Sequence, residues 1–214
     1  MRTEDIKPLW YTQDNFFTEE ECDIVRDTIL ELEPSVLEIP NTVRTPYPGL
    51  TAKFGSYNWL PILIGNGIDI QSKWYSVPEM QQHDALHIDC WANVFRQGEG
   101  IQMHCHAGGY EGNWDETDNE FYNSHVFISG RVETGTYYKH LNTTLESVKG
   151  QLHLFDCQKQ HKVVLNQYQE PRITLAMDVH WGEKTKVRAC LLYTSPSPRD
   201  VEECGIAGWG CKKK

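Results

Sequence analysis

Beyond His83 the apolar residues recur at every second position, and this pattern restricts the fold more than any other feature of the chain. Alternation with a period of two puts apolar side chains on one face of a β-strand. Turn residues, such as the Gly-Glu-Gly at 98–100, separate the short runs ALHIDCWANVF, SHVFISGRV, TGTYYKHL, GQLHLFD, HKVVLN and RITLAMDVHW. The second half of the chain therefore predicts several short antiparallel strands in a sandwich or jelly roll, with helices packed on one side.

The N-terminal part carries one strong helix signal, in the stretch NFFTEEECDIVRDTILELEP. Thr18 followed three positions later by Glu21 forms a capping box, so a helix is expected to begin there and to end before Pro34. Its apolar stripe, expected to face the core, is Cys22, Val25, Ile29 and Leu32. Residues 35–60 predict loops and short strands, and a second, weaker helix is expected near 61–73.

Length, charge and cysteine content exclude several classes of protein. The 214 residues suit one domain, and the net charge of −10 offers no basic stripe, so no nucleic-acid partner is expected. The opening MRTEDIKPLW lacks the apolar core of a signal peptide, and no run of about 18 apolar residues occurs. A soluble, cytoplasmic protein without a membrane partner is predicted. Seven cysteines with no CxxC pair indicate reduced thiols rather than a zinc ribbon or a disulfide framework.

From residue 190 onward the character of the sequence changes. CLLYTSPSPRD, at 190–200, resembles the translation of a sequencing-library adapter, and the following residues show neither helical nor strand periodicity. Residues 1–189 are therefore expected to form the domain, and 190–214 a poorly packed, non-native tail that can be removed.

Three histidines in the strand region indicate a metal site. Residues two apart on a strand point to the same face, so His104 and His106 are expected to project side by side. His161, at the start of a later strand, is the best candidate for a third ligand. Arg172 and Thr174, also two apart, would put a cation and a hydroxyl on one strand face, which suits the capture of a dicarboxylate.

These residues, in this order, resemble the Fe(II)/2-oxoglutarate-dependent oxygenases, particularly the small members with a prolyl-hydroxylase-like fold. The stretches DNFFTEEEC, WANVFRQGEGIQMHCH and GQLHLFD are also similar to that family, so the resemblance covers roughly residues 10–181. It implies a mainly β fold with α (α+β): a distorted double-stranded β-helix, jelly-roll or cupin-like, over about residues 85–181. The N-terminal helices, including that at 18–33, are expected to pack outside its major sheet.

The resemblance also implies an activity, the hydroxylation of an unidentified small-molecule or peptidyl substrate with release of succinate and CO₂. The cofactors implied are Fe(II) and the cosubstrate 2-oxoglutarate, with ascorbate as a further candidate. The implied metal ligands, and with them the catalytic residues, are His104, His106 and His161. The residues expected to bind the cosubstrate or line its pocket are Arg172, Thr174, Asn93 and Tyr137.

One departure from the family pattern leaves the ligand set open. The family has His-x-Asp/Glu where this chain has His104-x-His106, so three neutral imidazoles leave the site one negative charge short. Either His106 ligates as an imidazole, or a carboxylate from the acidic insert at 109–123 replaces it. The candidates there are Glu111, Asp115 and Asp118.

Other interpretations of the same residues remain. His87-x-Asp89 matches the family motif literally, but it precedes the tryptophan strand that the family's first ligands follow. A cupin-like protein could use the three histidines without 2-oxoglutarate, in which case Arg172 has no role. A catalytically silent binding module of the same fold would bind no metal.

Overall fold

The computed structural model describes residues 10–38, 58–106 and 121–181. All of them belong to the first of the two units into which the chain divides, Met1–Gly182. The second unit, Glu183–Lys214, lies outside the described residues, as does the predicted tail at 190–214.

Nine strands and three α-helices make up the described part of the chain. In chain order they are β1 (Trp10–Gln13), α1 (Glu19–Glu38), α2 (Leu60–Gly65), α3 (Ile70–Tyr75), β2 (Leu86–Phe95), β3 (Ile101–His104), β4 (Phe121–Ser129), β5 (Thr136–Tyr138), β6 (Thr143–Leu145), β7 (Leu152–Asp156), β8 (His161–Val163) and β9 (Arg172–Trp181). A single 3-10 turn, Pro78–Met80, follows α3.

The strands form two antiparallel sheets. The larger has the order β1-β7-β4-β9-β2 and the smaller the order β3-β8-β5-β6. From β2 to β9 the chain passes repeatedly from one sheet to the other, and this winding forms a double-stranded β-helix. The fold class predicted from the sequence is thus confirmed, with two strands, β1 and β6, that the sequence pattern had not indicated.

The alternation along β9 separates the core from the site. Its residues Ile173, Leu175, Met177 and Val179 are fully buried in the apolar core that the larger sheet shares with α1. The intervening residues project to the opposite face of the sheet, and among them Arg172 and Thr174 line a cavity. Alternate residues of β9 therefore contribute to the apolar core on one face of the sheet and to the polar wall of the cavity on the other.

Helix α1 begins as predicted but ends later. The Thr18 backbone N–H donates to Glu21 Oε2 at 2.7 Å, and the Glu21 N–H donates to Thr18 Oγ1 at 3.2 Å, so the capping box is present. The helix continues past Pro34 to Glu38, whereas the sequence predicted an end before the proline. Val36, 3% exposed, extends the buried stripe beyond Pro34, and its burial offsets the backbone hydrogen bond that proline cannot make.

The single helix expected near 61–73 is instead two short helices, α2 and α3. A turn at Asn66 and Gly67 separates them, and Gly67 has a φ of 78°, a conformation that glycine adopts without strain. Asp69 then caps α3 by accepting a hydrogen bond from the Ser72 N–H at 3.0 Å.

Helix α1 packs on the outside of the larger sheet, as predicted. Its buried residues Cys22, Val25 and Ile29 belong to the same core as Val126 and Ile128 of β4. None of the helices within 10–38, 58–106 and 121–181 is long and apolar enough to cross a membrane.

Candidate metal centre

The two sheets meet at a group of three histidines. His104 ends β3 and pairs across the smaller sheet with His161, the first residue of β8. His106 lies two residues beyond His104, where its backbone N–H donates to the Cys157 carbonyl at 3.1 Å. One potential ligand atom from each of the three lies within 4.8 Å of the others, and no other such group of His, Cys, Asp or Glu occurs in the described part of the chain.

Hydrogen bonds at Nδ1 orient all three imidazoles. The Nδ1–H of His104 donates to the Gln102 carbonyl at 2.8 Å, that of His161 to the Lys159 carbonyl at 3.1 Å, and that of His106 to Asp178 Oδ1 at 2.9 Å. A neutral imidazole carries a single proton, so a proton on Nδ1 leaves the lone pair on Nε2. The Nδ1 hydrogen bonds therefore leave Nε2 of each ring as its candidate ligand atom.

Burial keeps two of these imidazoles in the form that binds metal. It lowers the pKa of His104 to about 4, with a further contribution from nearby His106, while the Gln102 and His161 carbonyls act in the opposite direction. Burial also lowers the pKa of His161 well below its usual value. At neutral pH a metal ion would not have to displace protons from either ring.

The geometry fits a transition-metal ion. With metal–nitrogen bonds of about 2.1 Å, three nitrogens on one side of an ion lie about 3 Å apart, so the three histidines, whose candidate ligand atoms lie within 4.8 Å of one another, would have to move closer to hold one. Imidazole nitrogens suit Fe, Zn, Cu and Ni, and three ligands on one side leave coordination positions open for other molecules. His104, His106 and His161 would hold such an ion.

The same histidines line a cavity of about 40 Å³ that also contains Arg172. The guanidinium is 1% exposed and lies against the rings of Phe95 and Phe127, with its carbon 5.7 and 5.9 Å from the ring centres. Its Nε donates to the Thr134 carbonyl at 2.6 Å and its Nη2 to Thr136 Oγ1 at 3.0 Å. Burial lowers its pKa to about 10, so it remains a cation at neutral pH.

One donor of this buried cation is left over. Nη1 of Arg172 is buried without a hydrogen-bond partner, which is costly unless a ligand completes it. Thr174 and Asn93 lie nearby on paired strands, with Asn93 Nδ2 3.5 Å from Thr174 Oγ1, and Asn93 Oδ1 is also buried without a partner. A carboxylate in the cavity would satisfy the open guanidinium N–H, so these residues fit a bound dicarboxylate.

Tyr137 does not lie in this cavity. Its hydroxyl donates to Asn142 Oδ1 at 3.0 Å, and Lys162 Nζ lies over its ring. The inward-facing residues of β5 are its neighbours Thr136 and Tyr138, because a strand reverses its side-chain direction at each residue. The expectation for Tyr137 was therefore one residue out of phase.

A buried polar group that sequence reasoning missed lies beside the cavity. The Tyr138 hydroxyl lies 3.0 Å from His125 Nε2 and 2.8 Å from His153 Nδ1, and His153 Nε2 lies 2.7 Å from Gln151 Oε1. Burial holds the pKa of His125 well below, and that of Tyr138 well above, its usual value. The signal that could have identified His125 and His153 is their position, because each lies two residues from an inward-facing phenylalanine of its strand.

The sequence also suggested alternative metal ligands, in the acidic insert and at His87-x-Asp89. Glu111, Asp115 and Asp118 lie outside the described residues, as does most of the 109–123 insert. His87 and Asp89 lie on β2 and are not part of the histidine group, and Asp89 Oδ2 is 3.6 Å from His180 Nε2. The carboxylate that does reach the group is Asp178, whose even spacing from Arg172 along β9 was the signal that could have identified it.

Solved structures of other proteins have a similar fold. A viral collagen prolyl hydroxylase from Paramecium Bursaria Chlorella virus-1, in a 2OG complex, aligns with a TM-score of 0.53 and 14% identity over 81% of this chain and 96% of its own. A Pseudomonas putida prolyl-4-hydroxylase aligns with a TM-score of 0.51 and 10% identity over 81% and 93%. A Trichoplax adhaerens prolyl hydroxylase, solved with a hypoxia inducible factor peptide fragment, gives 0.51 and 13% over 85% and 87%.

Sequence comparison adds nothing to this likeness. No protein-family model matches the chain, and a search of curated proteins finds no matching relative. The two wound antiparallel sheets define a double-stranded β-helix protein with a histidine group at the junction of the sheets. More particularly, its fold is that of the 2OG-Fe(II) oxygenases, as the sequence motifs had indicated.

Proposed function

We propose that this protein is an Fe(II)- and 2-oxoglutarate-dependent dioxygenase, which hydroxylates a C–H bond of a small-molecule or peptidyl substrate and releases succinate and CO₂. The observation that carries the proposal is one cavity lined by both the three histidines and a buried guanidinium with an open N–H. Nitrogen ligands for a metal and a cation for a carboxylate are the two requirements of a chelating keto diacid.

Each group has a separate task in this proposal. His104, His106 and His161 bind the ion through Nε2, while Arg172 Nη1 and the hydroxyl of Thr174 hold the far carboxylate of 2-oxoglutarate. Bound Fe(II) and 2-oxoglutarate would supply the activation of dioxygen. The rings of Phe95 and Phe127 shield the guanidinium from water, which strengthens its pairing with a carboxylate.

The alternative functions lack this support. A cupin-like protein that binds only a metal has no use for a buried cation that retains an open donor in the same cavity. A silent binding module has no use for three imidazoles whose Nδ1 atoms are all engaged by oxygen acceptors.

Anaerobic addition of Fe(II) and 2-oxoglutarate tests the proposal directly. A visible charge-transfer band should appear, and admission of air should release succinate, with and without ascorbate. Absence of the band in the wild-type protein would overturn the proposal.

Replacement of Arg172 separates the dioxygenase from the cupin-like alternative. Arg172→Ala should weaken 2-oxoglutarate binding about 10- to 100-fold, since a charge-assisted hydrogen bond is lost, and should change Co(II) affinity much less. Arg131→Ala is the matched control, because Arg131 is half exposed and lies over Tyr168. Equal losses of metal and 2-oxoglutarate affinity in Arg172→Ala would show that Arg172 is structural.

A further inference from the structure

The three candidate ligands are histidines, so none of them brings the negative charge of a carboxylate to the site. One carboxylate nevertheless contacts the group, at the Nδ1 atom of His106. Asp178 Oδ1 accepts a hydrogen bond from His106 Nδ1 at 2.9 Å. Both side chains are largely buried, with 9% of His106 and 16% of Asp178 exposed, so solvent screens this contact weakly.

The position of Asp178 follows from the sheet. Arg172, Thr174 and Asp178 are separated by even numbers of residues on β9, so the same strand face presents the cation at one end and the carboxylate at the other. His106 comes from the chain just after β3, in the opposite sheet, and its hydrogen bond to Asp178 joins the two sheets beside the histidine group.

We propose that Asp178 is a positioning residue that supplies, through His106, the negative charge missing from the three-histidine metal site. A carboxylate that accepts the Nδ1–H of a metal-binding imidazole fixes its tautomer and makes Nε2 a stronger donor. The His106–Asp178 pair thus acts as one anionic ligand, with the charge held one ring further from the ion. This inference rests on the proposed function, since it requires a divalent ion on these histidines.

Two neighbouring carboxylates make the assignment testable. Asp89 pairs in register with Asp178 on the adjacent strand β2, and its Oδ2 lies 3.6 Å from His180 Nε2, whereas Asp178 makes the 2.9 Å contact with His106 Nδ1. Asp89→Asn therefore removes the same formal charge close by without removing the hydrogen bond. It is the matched control for Asp178→Asn.

The first measurement is the Co(II) affinity of the full chain. Asp178→Asn should weaken Co(II) binding about 10- to 100-fold, as is typical when the outer partner of a ligating histidine is lost. Asp89→Asn should stay within about threefold of the wild type, and Asp178→Glu, which keeps a carboxylate, should recover part of the affinity. Equal affinities for Asp178→Asn and the wild type would overturn the inference and leave the proposed function intact.

The second measurement asks whether Asp178 acts through His106. His106→Asp removes the imidazole through which Asp178 is proposed to act and puts a carboxylate in its place, so in that background Asp178→Asn should weaken Co(II) binding much less than in the wild type. Weakening of the same size in both backgrounds would show that Asp178 supports the fold alone. No Co(II) binding by the wild type would instead overturn the proposed function, and with it this inference.

Discussion

At the scale of single residues, the buried Tyr138 hydroxyl beside the cavity lies within hydrogen-bond distance of His125 and His153. His153 is 5% exposed, and burial together with the nearby charge of Arg172 lowers its pKa to about 4. The unfolded chain has a histidine pKa of about 6.5, so it binds more protons than the folded chain between these values. The stability gained from a neutral His153 is therefore complete above about pH 6.5 and is lost as the pH falls towards 4.

Removal of this titration should flatten the pH dependence of stability. His153→Gln is expected to reduce the fall in unfolding free energy between pH 7 and pH 5 by about 2 kcal/mol. Urea denaturation at both pH values, with a chelator present, measures the difference, and His87→Gln on β2 serves as the control. An unchanged pH dependence in His153→Gln would mean that His153 is protonated in the folded chain.

At the scale of elements, one glycine fixes how the chain before α1 meets the larger sheet. The Phe17 N–H donates to the Gly150 carbonyl at 3.1 Å, and the Gly150 N–H donates to the Phe127 carbonyl at 2.8 Å. Gly150 has a φ of 75°, and a Cβ at this position would overlap the Phe17 carbonyl oxygen. Gly98 has a similar φ of 84° but open space around it.

Alanine at these two glycines should separate backbone strain from steric overlap. Gly98→Ala is expected to cost about 1–2 kcal/mol from its φ alone. Gly150→Ala adds the overlap with Phe17 and is expected to cost about 3–5 kcal/mol in total. Chemical denaturation of both variants gives the comparison, and equal costs would mean that the Phe17 segment moves away freely.

Local sequence patterns predicted which helices and strands form better than they predicted where each one ends or which side chains point inward. The capping box at Thr18 and the alternation in β9 are encoded within a few residues, and both were read correctly from the sequence. The end of α1 was not, because the burial of Val36 against the sheet is a tertiary effect that outweighs Pro34. The predicted side-chain direction was wrong at Tyr137, because a shift of one residue along a strand turns a side chain to the opposite face.

For the candidate site, too, the sequence could identify some residues, whereas others are connected only by the fold. His104, His106, His161 and Arg172 could be proposed from their spacing and order, and one cavity contains all four. Asp178 could not be connected to His106 from the sequence, since their contact spans 72 positions of the chain and depends on how the two sheets meet.

At the scale of the whole molecule, the two sheets differ in how many residues their neighbouring strands pair. Strands β2 and β9 of the larger sheet pair along ten residues each, whereas β3 and β8 share two paired positions with an irregular register between them. Strands held by few hydrogen bonds and little apolar burial open more readily. His104 and His161 are paired in this short ladder.

Amide hydrogen exchange should report this difference. The amides of β3 and β8 are expected to exchange faster than those of β2 and β9, and Co(II) should slow β3 and β8 most, because an ion on His104 and His161 links the two strands. His161→Ala should abolish the metal effect without changing exchange in β2 and β9. Uniform slowing across both sheets would contradict this expectation.

The location of the buried arginine then has a consequence for how an ion is lost and regained. Arg172 belongs to the long-stranded sheet, fixed between Phe95 and Phe127, while two of the histidines belong to the short-stranded one. In the proposed function, fraying of β3 from β8 would release the ion while Arg172 stayed in place between Phe95 and Phe127. A chain that had lost its metal would then keep its cation for the diacid, and it could be reloaded without passing through the unfolded state.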